Sequence, residues 1–164
     1  MKSIYLVRHA NAGWNNSQLP DFERTLSDEG RKEASEMAGR LLEKDARPDI
    51  LVSSPASRAL ETAGIFADRL SCPPELIRPD AGIYDGDVDT LSEIVQKLPR
   101  DHQTVMIFGH NPTISLYSSW LSGKQLGQMV TCGVIRLDLP KGNWTDAKKG
   151  CANAVWYSYP KNRQ

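Results

Sequence analysis

The sequence predicts an α/β fold: a three-layer α/β/α arrangement with a mostly parallel central sheet, formed by a single domain over residues 1–164. Three observations predict it. Short apolar runs rich in β-formers alternate with stretches of helical period, and parallel neighbours need such crossovers. After residue 130 the pattern changes to two alternating segments separated by Pro140, Gly142 and Asn143, which predicts a hairpin-like ending with an antiparallel strand. The length sits near the prior of about 150 residues per domain, and neither a linker nor an internal repeat divides the chain.

Residues 4–7, 49–53 and 103–108 read as buried strands, each stopping at turn residues, with a shorter strand at 76–78 after Pro73-Pro74. Between them, residues 27–44 place Ala34, Met37, Ala38, Leu41 and Leu42 on one helical face, with Ser27 opening an acidic first turn. Residues 55–70 form a second amphipathic helix, for which Ser54 is the expected N-cap and Pro55 the first helical residue. Residues 90–98 and 112–121 complete the helices, the latter with Asn111 as expected cap and Pro112 first. Residues 133–139 and 152–159 are the closing strands.

The composition excludes several classes. Lys plus Arg (20) balance Asp plus Glu (20), so no global field draws the chain to nucleic acid or an acidic membrane, and any anion must be held by a local cluster. The aromatic residues, Phe66, Tyr117 and Trp120 among them, lack a basic stripe and read as core or lining rather than a base-stacking platform. Cys72, Cys132 and Cys151 have no metal or redox spacing and read as free thiols. The N-terminal apolar run stops at Arg8-His9, too early for a signal peptide, and nothing approaches a membrane span, so a cytoplasmic address is expected.

Chemistry concentrates in three segments: Leu6-Val7-Arg8-His9, Ser53-Ser54-Pro55-Ala56-Ser57-Arg58 and Phe108-Gly109-His110-Asn111-Pro112. Each falls where a predicted strand ends, the side on which open α/β sheets bind ligands. Arg58 lies early in a helix, where backbone N–H groups and the helix dipole also favour an anion. Two Arg, two His and a helix N-terminus share phosphate as a common ligand. Arginine grips its oxygens, and a neutral imidazole can attack phosphorus and carry the group covalently. Taken singly, each Arg also reads as a surface ion-pair residue and each His as a hydrogen-bonded structural one. A metal pair is disfavoured, because no carboxylate or third histidine lies at ligand spacing and the arginines oppose a cation. Asn15 could reach the site or simply serve a turn. The Asp85-Gly86-Asp87-Val88-Asp89 stretch fails as a calcium loop, with Thr90 at the glycine position and Gln96 at the closing glutamate position. Asp85 and Asp87 stay candidates for a general acid, or for an exposed turn.

Arg8-His9 after an apolar strand, Ser54-x-x-x-Arg58, Gly109-His110 and the Arg24-Thr25-Leu26-Ser27-Asp28-Glu29-Gly30 segment together resemble the histidine phosphatase superfamily, most closely its small SixA-like phosphohistidine phosphatase branch. The resemblance runs from about residue 3 to residue 120, with Ala10 where many relatives have Gly. It implies a phosphoglycerate mutase-like fold and a metal-independent, cofactor-free phosphatase. In it His9 is the nucleophile, Arg8, Arg58 and His110 are phosphate ligands, and Arg24 is a fourth. The neighbouring arginines are expected to keep His9 neutral. Many relatives that hydrolyse alcohol phosphates draw an acid from a longer insertion, for which this chain has no room. The expected substrate is therefore phosphohistidine of a protein, whose leaving imidazole needs little acid assistance. The alternatives are a small-molecule phosphomonoesterase using Asp85 or Asp87, and a silent phospho-ligand binding module.

Overall fold

A computed structural model describes residues 1–13 and 19–160. Along the chain run β1 (Lys2–Arg8), a 3-10 turn (Asp21–Glu23), α1 (Asp28–Glu43), β2 (Ile50–Ser53), α2 (Ser57–Arg69), β3 (Ile77–Pro79), α3 (Ala81–Asp85), α4 (Val88–Gln96), β4 (Thr104–Gly109), α5 (Thr113–Ser122), β5 (Val134–Leu139) and β6 (Asn153–Ser158). The strands form one sheet in the order β3-β2-β4-β1-β5-β6. Pairs β1–β4, β2–β4 and β2–β3 are parallel, while β5 is antiparallel to both β1 and β6. The expected mostly parallel sheet with an antiparallel ending is what forms.

The uninterrupted apolar runs follow from burial of both sheet faces. Successive residues of a strand point to opposite sides, so Ile4 and Leu6 of β1 and Val105 and Ile107 of β4 pack with α4 and α5. Tyr5 and Val7, with Met106 and Phe108, pack on the other side against Ala34, Met37 and Leu41 of α1 and Ala63 and Phe66 of α2. Phe66 and Tyr117 are fully buried, as core aromatics should be.

Register decides where the site forms. Arg8 of β1 lies beside Gly109 of β4, and Ser53 of β2 beside Phe108, so three parallel strands end level. His9, Ser54 and His110 leave the sheet from that common edge.

Several local expectations need correction. Ser27 caps α1, accepting from the Gly30 N–H at 3.0 Å. Ser54 does not cap α2. Its N–H still donates to Phe108 O in sheet fashion, the helix starts only after Ala56, and no side chain caps it. Asn111 does not cap α5 either, since its amide is turned toward Met129 and Ser115. The predicted helix at 90–98 begins at Val88, and the short helix α3 was not expected.

Candidate active site

His9 is held by backbone on both sides: its N–H donates to Gly109 O and its carbonyl accepts from the Cys132 N–H, each at 3.1 Å. Its ring is nearly buried, with 8% exposed. Nδ1 lies 2.8 Å from Ala10 O, and because a carbonyl can only accept, Nδ1 carries the proton. Nε2 then keeps its lone pair. Burial is the largest cause that pushes His9 down to about 3; the Ala10 hydrogen bond opposes it, and His110, Arg58 and Arg8 add to it. The imidazole is therefore neutral at physiological pH. The arginines contribute in the expected direction, but desolvation contributes more.

His110 faces His9 with ring centroids 5.1 Å apart. Its Nε2 is 2.7 Å from Ser54 Oγ, and that hydroxyl already accepts the Ala56 N–H at 3.2 Å. The hydroxyl can still either donate to Nε2 or accept from it, since it keeps its proton and a second lone pair. Nδ1 is buried and has no protein partner. Burial, then Arg58, lowers His110 to about 4, with Asp21 opposing and Arg8 adding a smaller push.

The two arginines repeat a pattern. Arg8 donates from Nη1 to Met129 O at 3.0 Å, and its Nε is buried without a partner. Met129 is itself fixed, its N–H donating to Ser115 Oγ at 2.8 Å and its carbonyl also accepting from Asn111 Nδ2 at 2.8 Å. Arg58, 6% exposed in the first turn of α2, donates from Nη1 to Asp21 O at 2.7 Å and from Nη2 to Asp21 Oδ2 at 3.0 Å. Its Nε is likewise buried and unpartnered. Buried polar groups are almost always satisfied, so three buried side-chain nitrogens without protein partners, two of them obligate guanidinium donors, are unusual in one cluster.

Two residues that sequence reasoning missed complete the cluster. Asp21 Oδ2 also accepts from Tyr84 OH at 3.0 Å, and Oδ1 accepts from Arg24 Nε and Nη2 at 3.3 and 3.1 Å. Tyr84, on α3, packs edge-on against His110 with centroids 5.6 Å apart and against Phe22 at 5.2 Å. Burial alone would raise the Asp21 carboxyl, but hydrogen bonds from Arg58, Arg24 and Tyr84 outweigh it and hold it down at about 2. Arg24, expected as a direct phosphate ligand, joins the cluster through Asp21.

The stretch from Arg24 to Gly30 pins the loop that follows His9. Ser27 donates its hydroxyl to Asn11 Oδ1 at 2.8 Å and its N–H to Asn11 O at 3.0 Å. A Cβ on Gly30 would lie 2.1 Å from Asn11 O, so only glycine permits the approach. On the other side, the Ala10 N–H donates to Thr62 Oγ1 of α2 at 3.1 Å.

The acidic candidates fall differently. Asp87 is the N-cap of α4 in a reciprocal capping box with Thr90, and the Thr90 backbone N–H, then its side chain, lower its carboxyl. A carboxylate stabilised in this way is a poor proton donor. Asp85 ends α3 beside Tyr84. Asn15 lies outside the described residues. Among the described residues, no three His, Cys, Asp or Glu side chains gather as a metal-ion site. No described helix is long and apolar enough to cross a membrane, and the three cysteines are free thiols.

The fold is phosphoglycerate mutase-like. Residues 4–81 match the histidine phosphatase superfamily (branch 1). The chain is similar to the protein histidine phosphatase SixA complexed with tungstate, at a TM-score of 0.84 and 22% identity, covering 99% of each chain. It also superimposes on a protein of Agrobacterium tumefaciens assigned as phosphohistidine phosphatase SixA, at a TM-score of 0.81 and 24% identity, covering 97% of this chain and 98% of the other. Phosphoglycerate mutase 1 of Saccharomyces cerevisiae is 40% identical over 78 residues, which cover 44% of this chain and 32% of the yeast protein. Over residues 4–81 the chain is thus similar to the histidine phosphatase superfamily (branch 1), and over its length it shares the fold of the SixA structures.

Proposed function

We propose that the protein is a phosphatase working through a phosphohistidine on His9, and that its substrate is phosphohistidine of another protein. In the first step Nε2 of His9 attacks phosphorus in line and the leaving group departs. In the second, water displaces phosphate from phospho-His9. The Arg8, Arg58 and His110 donors hold the non-bridging oxygens and stabilise charge developing on them. The carrying observation is the set of buried, unpartnered nitrogens, Arg8 Nε, Arg58 Nε and His110 Nδ1, beside a neutral His9 imidazole whose Nε2 keeps its lone pair.

The substrate class is supported by the state of the carboxylates. Asp21, hydrogen-bonded to Arg58, is held ionised, and Asp87 is occupied in capping a helix. Neither is set up to protonate an alkoxide. An imidazole leaving from phosphohistidine departs without that help. The superimposable proteins named as phosphohistidine phosphatases agree with this reading. The second reading, hydrolysis of small phosphomonoesters, draws on the relationship to phosphoglycerate mutase and would need Asp85 as acid.

The test is phosphate release from a phosphohistidine-bearing protein compared with release from sugar phosphates. Faster release from the protein is expected, and equal or faster release from sugar phosphates would defeat the assignment. A parent protein that turns over none of these yet binds inorganic phosphate would instead be a binding module.

A further inference from the structure

We propose that Asp21 is a positioning residue for phosphoryl transfer: it clamps the terminal end of Arg58 so that the Nε edge of the guanidinium faces the phosphoryl group. The inference rests on the phosphatase reading above and extends it to a residue that reading does not use.

The geometry of the clamp carries the argument. A guanidinium offers five N–H donors in a rigid plane: one on Nε and two on each terminal nitrogen. Asp21 accepts from one end of that plane with two different oxygens, its main-chain carbonyl at 2.7 Å from Nη1 and its carboxylate at 3.0 Å from Nη2. Contact from both the backbone and the side chain of one residue fixes the plane in orientation as well as in distance. The adjacent edge, formed by Nε and the second hydrogen of Nη2, is the pair that grips two oxygens of a phosphoryl group side-on. That edge keeps a buried Nε with no protein partner.

The clamp is itself braced. Tyr84 OH donates to the same carboxylate oxygen that holds Arg58, and Arg24 donates twice to the other. Tyr84 also packs edge-on against His110, so one side chain touches both the clamp on Arg58 and the second histidine. The rival account makes Asp21 an internal anion that substrate must displace from Arg58. The main-chain contact speaks against it, because displacing the carboxylate would leave the shorter Asp21 O bond in place. Use of the Nη end, rather than the Nε edge, also leaves the phosphoryl position open without displacement.

The two accounts predict opposite results. With Asp21→Ala, a mis-aimed Arg58 lowers kcat on a phosphohistidine protein by about tenfold or more. Affinity for inorganic phosphate stays equal or tightens, since a negative charge has been removed. Asp21→Asn, which keeps an acceptor oxygen, falls between parent and Ala, and Tyr84→Phe lowers kcat less. In an Arg58→Ala background, Asp21→Ala has no further effect on kcat, because Asp21 acts through Arg58. Losses that multiply in the double variant, or an Asp21→Asn variant with unchanged or raised kcat and tighter phosphate, overturn the proposal while leaving the phosphatase reading intact. Absence of turnover in the parent overturns both.

Discussion

Ser54 Oγ and His110 Nε2 share a hydrogen bond of 2.7 Å, and the same hydroxyl oxygen accepts from the Ala56 N–H. Ser54→Ala removes the partner that holds His110 Nε2. The expected result is a loss of about tenfold in kcat, the scale of one buried hydrogen bond expressed in the transition state. Nitrogen NMR of His110 should show the tautomer mixture shifting, and an unchanged spectrum and rate would remove Ser54 from the mechanism.

The pocket histidines also predict how stability follows pH. His9 and His110 are pushed down to about 3 and about 4 by burial first, whereas the unfolded chain protonates its histidines near about 6.5. Between pH ~6.5 and ~4 the unfolded state therefore binds protons that the native state refuses, so stability is lost as the pH falls through that window. Thermal midpoints measured across it should drop more steeply for the parent than for a His9→Gln/His110→Gln variant. Equal slopes would show that the rings are not held neutral.

Gly30→Ala is expected to cost about 1–3 kcal/mol, because the new Cβ meets the backbone oxygen of Asn11 rather than a flexible side chain. Chemical denaturation gives the stability. Since Asn11 follows the His9-Ala10 segment, kcat should fall as well, and a variant as stable and active as the parent would show that the loop after His9 does not depend on this approach.

How much of this was legible in the sequence depended on the range of the interaction. Arg8, His9 and His110 could be placed because each ends an apolar run, and the period of burial survives in sequence. Arg58 could be placed because it opens a helix. Ser54 and Asn111 were misread for a shared reason. Ser-Pro and Asn-Pro ahead of a helical pattern look like caps, but here both polar side chains turn toward tertiary partners, Ser54 to His110 and Asn111 to Met129. Asp21 and Tyr84 had no sequence signal. They meet 63 positions apart, and Asp21 meets Arg58 across 37, through a 3-10 turn that no hydrophobic period announces.

Substituting His9 separates chemistry from binding. His9→Ala should lower turnover by ~10³-fold or more while inorganic phosphate still binds through Arg8, Arg58 and His110. Loss of both together would make His9 a ligand only.

The central claim is tested most directly by trapping the enzyme intermediate. The protein is mixed with a phosphohistidine substrate, quenched at alkaline pH within the first turnover, and its phosphate located by peptide mass spectrometry. The account predicts an acid-labile phosphate on the peptide carrying His9, absent from His9→Ala. Turnover that proceeds with no phosphate on His9, or with phosphate on another residue, would contradict it.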